Sequence, residues 1–287
     1  MIKSSRTLAE ITVVGTDQKG VVAQVTNFIF KAQGNIEKIN QNVISGIFGM
    51  HCEASFQKEK LSEEGFRVGL KDLGKSLKME IKVHFDEPSR LKNMAVFVTR
   101  EPHCLETILK AKKKGEIKVN IPLLVGTEKT LQALAKKEKN SFFTVTDKDQ
   151  SQAEMKILSL LERFNIDFIV LARYMRILTP NFVWRYPNRI INVHPSILPA
   201  FPGAFAYAQA YERGAQIVGC TAHFVTEDLD QGPIIWQESF RVKQNDPLDT
   251  IRAKGQAMEE QTLLKAIKLY LQKGLEVYWG KVHFKKN

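Results

Sequence analysis

Nothing in this chain approaches the ~20 consecutive apolar residues that a membrane-spanning helix requires, so a helical membrane protein is not expected. The opening MIKSSRTLAEITVVGTD has no apolar core of the signal-peptide kind before its first turn, and no export signal is expected there. Cysteine is scarce. Cys52, Cys104 and Cys220 form an odd set without metal-ligand spacing, which argues against a disulfide framework and points to a reducing compartment, the cytoplasm. The six histidines are scattered and show no carboxylate–His cluster, so no metal is expected. Internal repeats and low-complexity tracts are also missing.

Positive charge is in excess: 42 Lys and Arg stand against 31 Asp and Glu, a formal net charge of +11. Its lysines gather in LKAKKKGEIK, LAKKEKN and KVHFKKN, at helix ends and loops, without interleaved aromatics or a nucleic-acid motif. Lysine near a helix C-terminus complements the macrodipole, which accounts for part of the excess. Nucleic acid is therefore not an expected partner, whereas an anionic small molecule would profit from the same field.

At 287 residues and 44% hydrophobic content the chain is long enough for two globular domains. Residues 1–86 read as β-α-β-β-α-β, the ferredoxin-like order. LAEITVVGT alternates as a strand, and Val21, Val22, Val25, Phe28 and Ile29 recur at helical spacing before Gly34 stops the helix. Ser45-Gly46 is the expected turn between NIEKINQNVI and GMHCEASF. Residues 87–92, with Pro88, read as a linker. From residue 93 to 287 strands alternate with helices, the pattern of a Rossmann-like, mainly parallel α/β sheet. Two strands, AQIVGCTAHFVT and GPIIWQESFRV, follow, and a long final helix begins at NDPLDTI with Asp246 as cap and Pro247 as its first residue.

The stretch RIINVHPSILPAFPGA carries the strongest chemical signal. A buried-looking strand ends on Asn192 and His194, whose i, i+2 spacing places both side chains on one face. Strand exits of a parallel sheet are where ligands bind. In TEDLDQGPII, Asp230 lies between Leu229 and a Gly-Pro turn that would aim its carboxylate back toward that exit. Amide, imidazole and carboxylate together suit attack on a carbonyl: Asn stabilises an oxyanion, His carries the proton, Asp orients His or water. A capping Asn beside a satisfied His remains the plainer alternative. His223 is either a partner for Asp230 or a satisfied core residue. Arg100 and His103 stand at the first strand exit of this domain, placed either to reach the mouth of a site or to cap a helix.

These same motifs, INVHPSILPAFPGA followed by GCTAHFVTEDLDQGPII, resemble the catalytic signature of folate-dependent formyltransferases. The resemblance implies catalytic roles for Asn192, His194 and Asp230. Through FIVLARYMRIL it implies folate binding at Arg176, Ile177 and Leu178, and it implies the same for Thr226 and Asp228. GTDQKGVVAQV resembles the first strand, loop and helix of an ACT domain, which implies an amino-acid effector site at Asp17 and Gly20 and a homo-oligomer. An ACT unit ahead of a formyltransferase-type unit is the layout of the formyltetrahydrofolate deformylase family. The resemblance therefore implies hydrolysis of 10-formyltetrahydrofolate to formate and tetrahydrofolate, serving one-carbon and purine metabolism. Formyltetrahydrofolate would be the substrate, and no cofactor is implied. Transfer to an amine acceptor without phosphate, or folate binding without turnover, stay open as alternatives. FVTREPHCLETI has no glycine where a phosphate-cradling loop would need one, which favours water as the acceptor.

Overall fold

The computed structural model describes residues 6–85, 90–272 and 275–284. Two compact units emerge: one runs to Arg90 and includes Thr179–Pro187, the other comprises Leu91–Leu178 and the chain from Asn188 onward. Of the expected linker, residues 87–89 lie outside the described residues.

The first unit is β1 (Arg6–Thr16), α1 (Val21–Lys31), β2 (Asn35–Ile44), β3 (Ile47–Gln57), a single 3-10 turn (Lys58–Lys60), α2 (Glu63–Leu77) and β4 (Glu80–Phe85). Its strands form an antiparallel sheet in the order β2-β3-β1-β4, the expected ferredoxin-like arrangement. Val21, Val25 and Ile29 are the buried stripe of α1, and Ser62 caps α2 by accepting from the Gly65 N–H. Ser45 and Gly46 take φ of 50° and 75°, the two left-handed positions of a tight hairpin turn. Gly34 does not end α1 in the way the sequence suggests. Gln33 takes the left-handed conformation (φ 59°), and a Cβ on Gly34 would lie 2.4 Å from the Phe56 ring. Glycine is required there for close packing, not for the turn.

The second unit begins with β5 (Asn93–Val98), α3 (His103–Lys113), β6 (Asn120–Gly126), α4 (Gln132–Lys137), β7 (Ser141–Thr144), α5 (Gln150–Arg163) and β8 (Phe168–Ala172). The short α6 (Pro180–Val183) belongs to the first unit. Then follow β9 (Ile190–His194), α7 (Ala206–Glu212), β10 (Ile217–Phe224), β11 (Ile234–Arg241), α8 (Leu248–Leu271), β12 (Leu275–Tyr278) and β13 (Lys281–Phe284). The main sheet runs β11-β10-β9-β8-β5-β6-β7. It is parallel from β7 through β9, and β10 and β11 are antiparallel to their neighbours. Alternate residues Met94, Val96, Val98, Phe168, Val170 and Ala172 share one buried cluster with Ile108 of α3 and Leu263 and Ile267 of α8. Each fully buried Val, Ile, Leu, Met or Phe among them contributes roughly 1.5–3 kcal/mol, and together they fix the strand exits on which the site is built.

Two expectations at the start of the last helix are corrected. Pro247 is extended (φ −69°, ψ 159°) and precedes a helix that starts at Leu248. Asp246 does not cap it, because its carboxylate accepts from the Lys243 N–H and pairs with Lys254 at 2.7 Å. The tail after α8 forms the β12–β13 hairpin, turned at Trp279 and Gly280 with φ of 49° and 71°. Among the described residues, no helix is long and apolar enough to cross a membrane.

Candidate active site

Register brings the site together. β9 and β10 pair so that Asn192 faces His223 and His194 faces Thr221. The β10–β11 pairing shifts register between Ala222 and His223, with Ile235 of β11 as the extra residue. The His223 Nδ1–H donates to the Phe224 carbonyl at 2.9 Å, because a carbonyl can only accept. Its Nε2 therefore carries the lone pair, and the Asn192 amide donates to it at 3.2 Å. Burial pushes the His223 pKa below its usual 6.5 and keeps the ring neutral, as this pattern requires. His223, open in the sequence between a partner for Asp230 and a satisfied core residue, is buried with Nε2 3.8 Å from Asp230 Oδ1, and its hydrogen bond from Asn192 is one the sequence does not suggest.

Asp230 reaches the strand end through a tight return of the chain. It sits at φ 57°, and two residues on a Cβ on Gly232 would fall 1.7 Å from the Phe224 carbonyl oxygen. Its Oδ2 lies 3.3 Å from His194 Nδ1 and accepts the Gly203 N–H at 2.8 Å. The other ring nitrogen, Nε2, donates to the Phe201 carbonyl at 2.9 Å. Nδ1 is thus the atom of His194 that can exchange a proton beside the carboxylate. Both side chains are almost fully buried.

These groups form the wall of a cavity of about 610 Å³, of the size that takes a small molecule. Arg176, Ile177, Leu178, Thr226 and Asp228 all line it, as do Asn192, His194, His223 and Asp230. The 175–178 segment is held by its flanks. Met175 N–H donates to Thr99 Oγ1 at 3.0 Å, Gln150 donates to the Ile177 carbonyl at 2.6 Å, and Arg176 donates to the Asp147 carbonyl at 3.2 Å. Opposite, the Thr226 hydroxyl donates to the Asp228 carbonyl at 3.3 Å.

Other candidates fall elsewhere. Arg100 pairs with Glu128 at 2.7 Å on the surface, outside the cavity wall. His103 turns to Glu259, at 3.1 Å. Asp17 and Gly20 are exposed in the first unit, with the Asp17 N–H donating to the Gly46 carbonyl at 2.9 Å and Gly20, at φ 85°, opening α1.

Glu259, Tyr207 and Arg173 are cavity-lining residues that sequence reasoning missed. The only trace of Glu259 in the sequence is Gly255 one turn earlier on α8, and a lone Gly–Glu pair in a helix is too common to read. His103, Cys104 and Glu259 bring one ligand atom each within 4.8 Å of one another, a His–carboxylate grouping the sequence did not suggest. Glu259 spends its oxygens on proton donors, with the Arg173 cation at 3.5 Å.

Known proteins share this framework. A formyl transferase family model matches residues 92–267. The formyltetrahydrofolate deformylase of Synechocystis sp. is 38% identical over 274 residues, covering 94% of this chain and 95% of that protein. The chain belongs to the formyltetrahydrofolate deformylase family. A crystal structure of a formyltetrahydrofolate deformylase from Pseudomonas syringae pv. tomato is 28% identical and superposes with a TM-score of 0.67, covering 99% of this chain and 96% of that one. A glycinamide ribonucleotide transformylase from Symbiobacterium toebii is 27% identical with a TM-score of 0.66, but covers only 71% of this chain. Deformylase relatives thus extend over both units.

Proposed function

We propose that the protein hydrolyses 10-formyltetrahydrofolate to formate and tetrahydrofolate. The observation that carries this reading is the buried contact of His194 Nδ1 with Asp230 Oδ2 at 3.3 Å, with the Asn192 amide on the same strand face. Water enters between Asp230 and the formyl carbon. His194 Nδ1 takes one of its protons as the C–O bond forms, and the imidazolium is held between Asp230 and the Phe201 carbonyl. One Asn192 N–H is committed to His223, and the second donates to the oxyanion, an interaction worth roughly 3–4 kcal/mol in a preorganised hole. His194 then returns its proton to the folate nitrogen as the C–N bond breaks. The remaining proton leaves through Asp230 and formate departs as the anion.

Arg176, Ile177, Leu178, Thr226 and Asp228 hold the folate in this reading, supported by their place in the cavity wall. Residues 1–86, whose unit also includes 179–187, act as a regulatory ACT-like domain that binds an amino acid near Asp17 and Gly20 and mediates self-association, followed by a linker at 87–92 and, from residue 93 to 287, the chain of the catalytic domain. Three buried free cysteines support work in a reducing compartment, the cytoplasm.

The test is formate release by the full-length protein with no acceptor added, run for wild type, His194→Ala and Asp230→Asn, with and without an amino-acid panel. Release that disappears in both variants is expected. Absence of release from wild type, or faster formylation of an added amine, overturns the hydrolytic assignment.

A further inference from the structure

Glu259 is a fully buried carboxylate in the wall of the cavity, and the chemistry above makes no use of it. Two hydrogen-bonding side chains and one cation, from three separate parts of the chain, converge on it. Tyr207, at the start of α7, donates its hydroxyl to Oε1 at 2.8 Å. His103, at the start of α3, meets Oε2 at 3.1 Å, and Arg173, just past β8, brings Nε to 3.5 Å from the same oxygen. A buried charge held this way is compensated in place. Burial and the carboxylate itself push the Tyr207 phenol far up, so it stays a donor throughout the working pH range. The packing of α8 admits the ring: a Cβ on Gly255 would come within 2.2 Å of it.

What this contact restrains lies a few residues upstream. The loop that leads into Tyr207 supplies both backbone partners of the catalytic pair, the Gly203 N–H on Asp230 and the Phe201 carbonyl on His194. Its far end is anchored separately. Leu198 N–H donates to Thr221 Oγ1 at 3.0 Å, Thr221 donates to the Ser196 carbonyl at 2.7 Å, and Gln237 donates to the Leu198 carbonyl at 2.9 Å. Between these anchors Phe201, Gly203 and Phe205 take φ of 52°, 83° and 60°. Non-glycine residues persist in that region only when their surroundings over-determine them. The Gln209 side chain adds a bond to the Ala204 carbonyl at 2.8 Å.

We propose that Glu259 and Tyr207 are positioning residues for the hydrolysis: acting through the start of α7, they keep the Phe201 carbonyl and the Gly203 N–H in place against His194 and Asp230. The inference rests on the hydrolytic reading above. Misplacing a reacting group by ~1 Å from a remote site can cost as much as a hundredfold in rate. Residues 175–178 and 226–228 make no hydrogen bond to Glu259 or Tyr207, so the expected effect falls on kcat rather than on substrate affinity.

Tyr207→Phe keeps the ring against Gly255 and removes only the hydroxyl. Glu259→Gln keeps the shape and removes the charge. Formate release by the full-length protein would be measured for wild type, each variant and the double variant, with tetrahydrofolate affinity and a melting curve for each. The expected result for Tyr207→Phe is a kcat lowered about tenfold with KM and tetrahydrofolate affinity within about twofold, since one hydrogen bond to a charged group is worth that much. The double variant should be no slower than the slower single one. An unchanged kcat, or a raised KM at constant kcat, overturns the proposal, and so does strict multiplication of the two effects. If Glu259→Gln does not fold, the Tyr207→Phe split between kcat and KM decides alone. Wild type that releases no formate fails the hydrolytic reading itself, which is a different outcome from active wild type with indifferent variants.

Discussion

An asparagine amide rotates broadly about its last torsion unless a neighbour holds it, and in this site His223 is that neighbour. Replacing His223 by Leu keeps an apolar side chain of similar bulk in a site only 2% exposed but removes the lone pair that receives the Asn192 N–H at 3.2 Å. A neutral hydrogen bond of this kind is worth about 0.5–1.5 kcal/mol, so kcat for formate release should fall roughly two- to twelvefold. Asn192→Ala removes the oxyanion donor outright and should cost about a hundred- to a thousandfold. The informative measurement is the cycle. If His223 works only by aiming Asn192, adding His223→Leu to Asn192→Ala changes kcat by less than about twofold, and the coupling equals the whole single effect. Rates for the four proteins would be taken at saturating substrate, with urea unfolding alongside to confirm comparable stability. Additive effects would refute the reasoning and assign His223 an independent role, through Asp230 at 3.8 Å.

The same residue predicts a pH dependence of stability. Because burial lowers the His223 pKa below 6.5, the folded and unfolded states are both neutral there above that value. As pH falls below it, the unfolded chain takes up a proton that the folded chain refuses, and stability drops until the folded pKa is reached. Urea midpoints compared at pH 7.5 and 5 should show a smaller loss in His223→Leu than in wild type, and equal losses would contradict the argument. Thiol reactivity supplies a further check. Burial raises Cys52 to about 11, Cys220 to about 12 and Cys104 well above its usual value. At pH 8 a thiol reagent should find no reactive cysteine in the native protein and all three after denaturation; fast reaction of any one would show that its cover is open.

Periodicity and turn chemistry are enough to read the strand and helix order of both units apart from α7 and the β12–β13 hairpin, and the convergence of Asn192, His194 and Asp230. The i, i+2 spacing on a strand and a Gly-Pro return are local features, and local features survive in one dimension. Glu259 was invisible because its partners Tyr207, His103 and Arg173 come from elements scattered along the chain, and only tertiary packing makes it a cavity residue. The hydrogen bond between His223 and Asn192 is not legible, since the antiparallel β9–β10 register that sets the two opposite each other is a long-range pairing. The β12–β13 hairpin was lost for another reason: its strands of four residues each are too short for alternation to register.

The excursion of residues 179–187 into the first unit bears on how this protein can be taken apart. Phe182 and Val183 are buried there, the Trp184 ring covers Gly49 so closely that a Cβ would meet it at 2.2 Å, and Arg185 pairs with Glu80 at 2.8 Å. A fragment cut at residue 91 would carry this segment without its bed, presenting to water Phe182, Trp184 and an Arg185 that has lost Glu80. Transplanting the N-terminal unit between relatives, or deleting it, is therefore a two-piece operation: the modular boundary that looks single in the sequence has to be cut in three places.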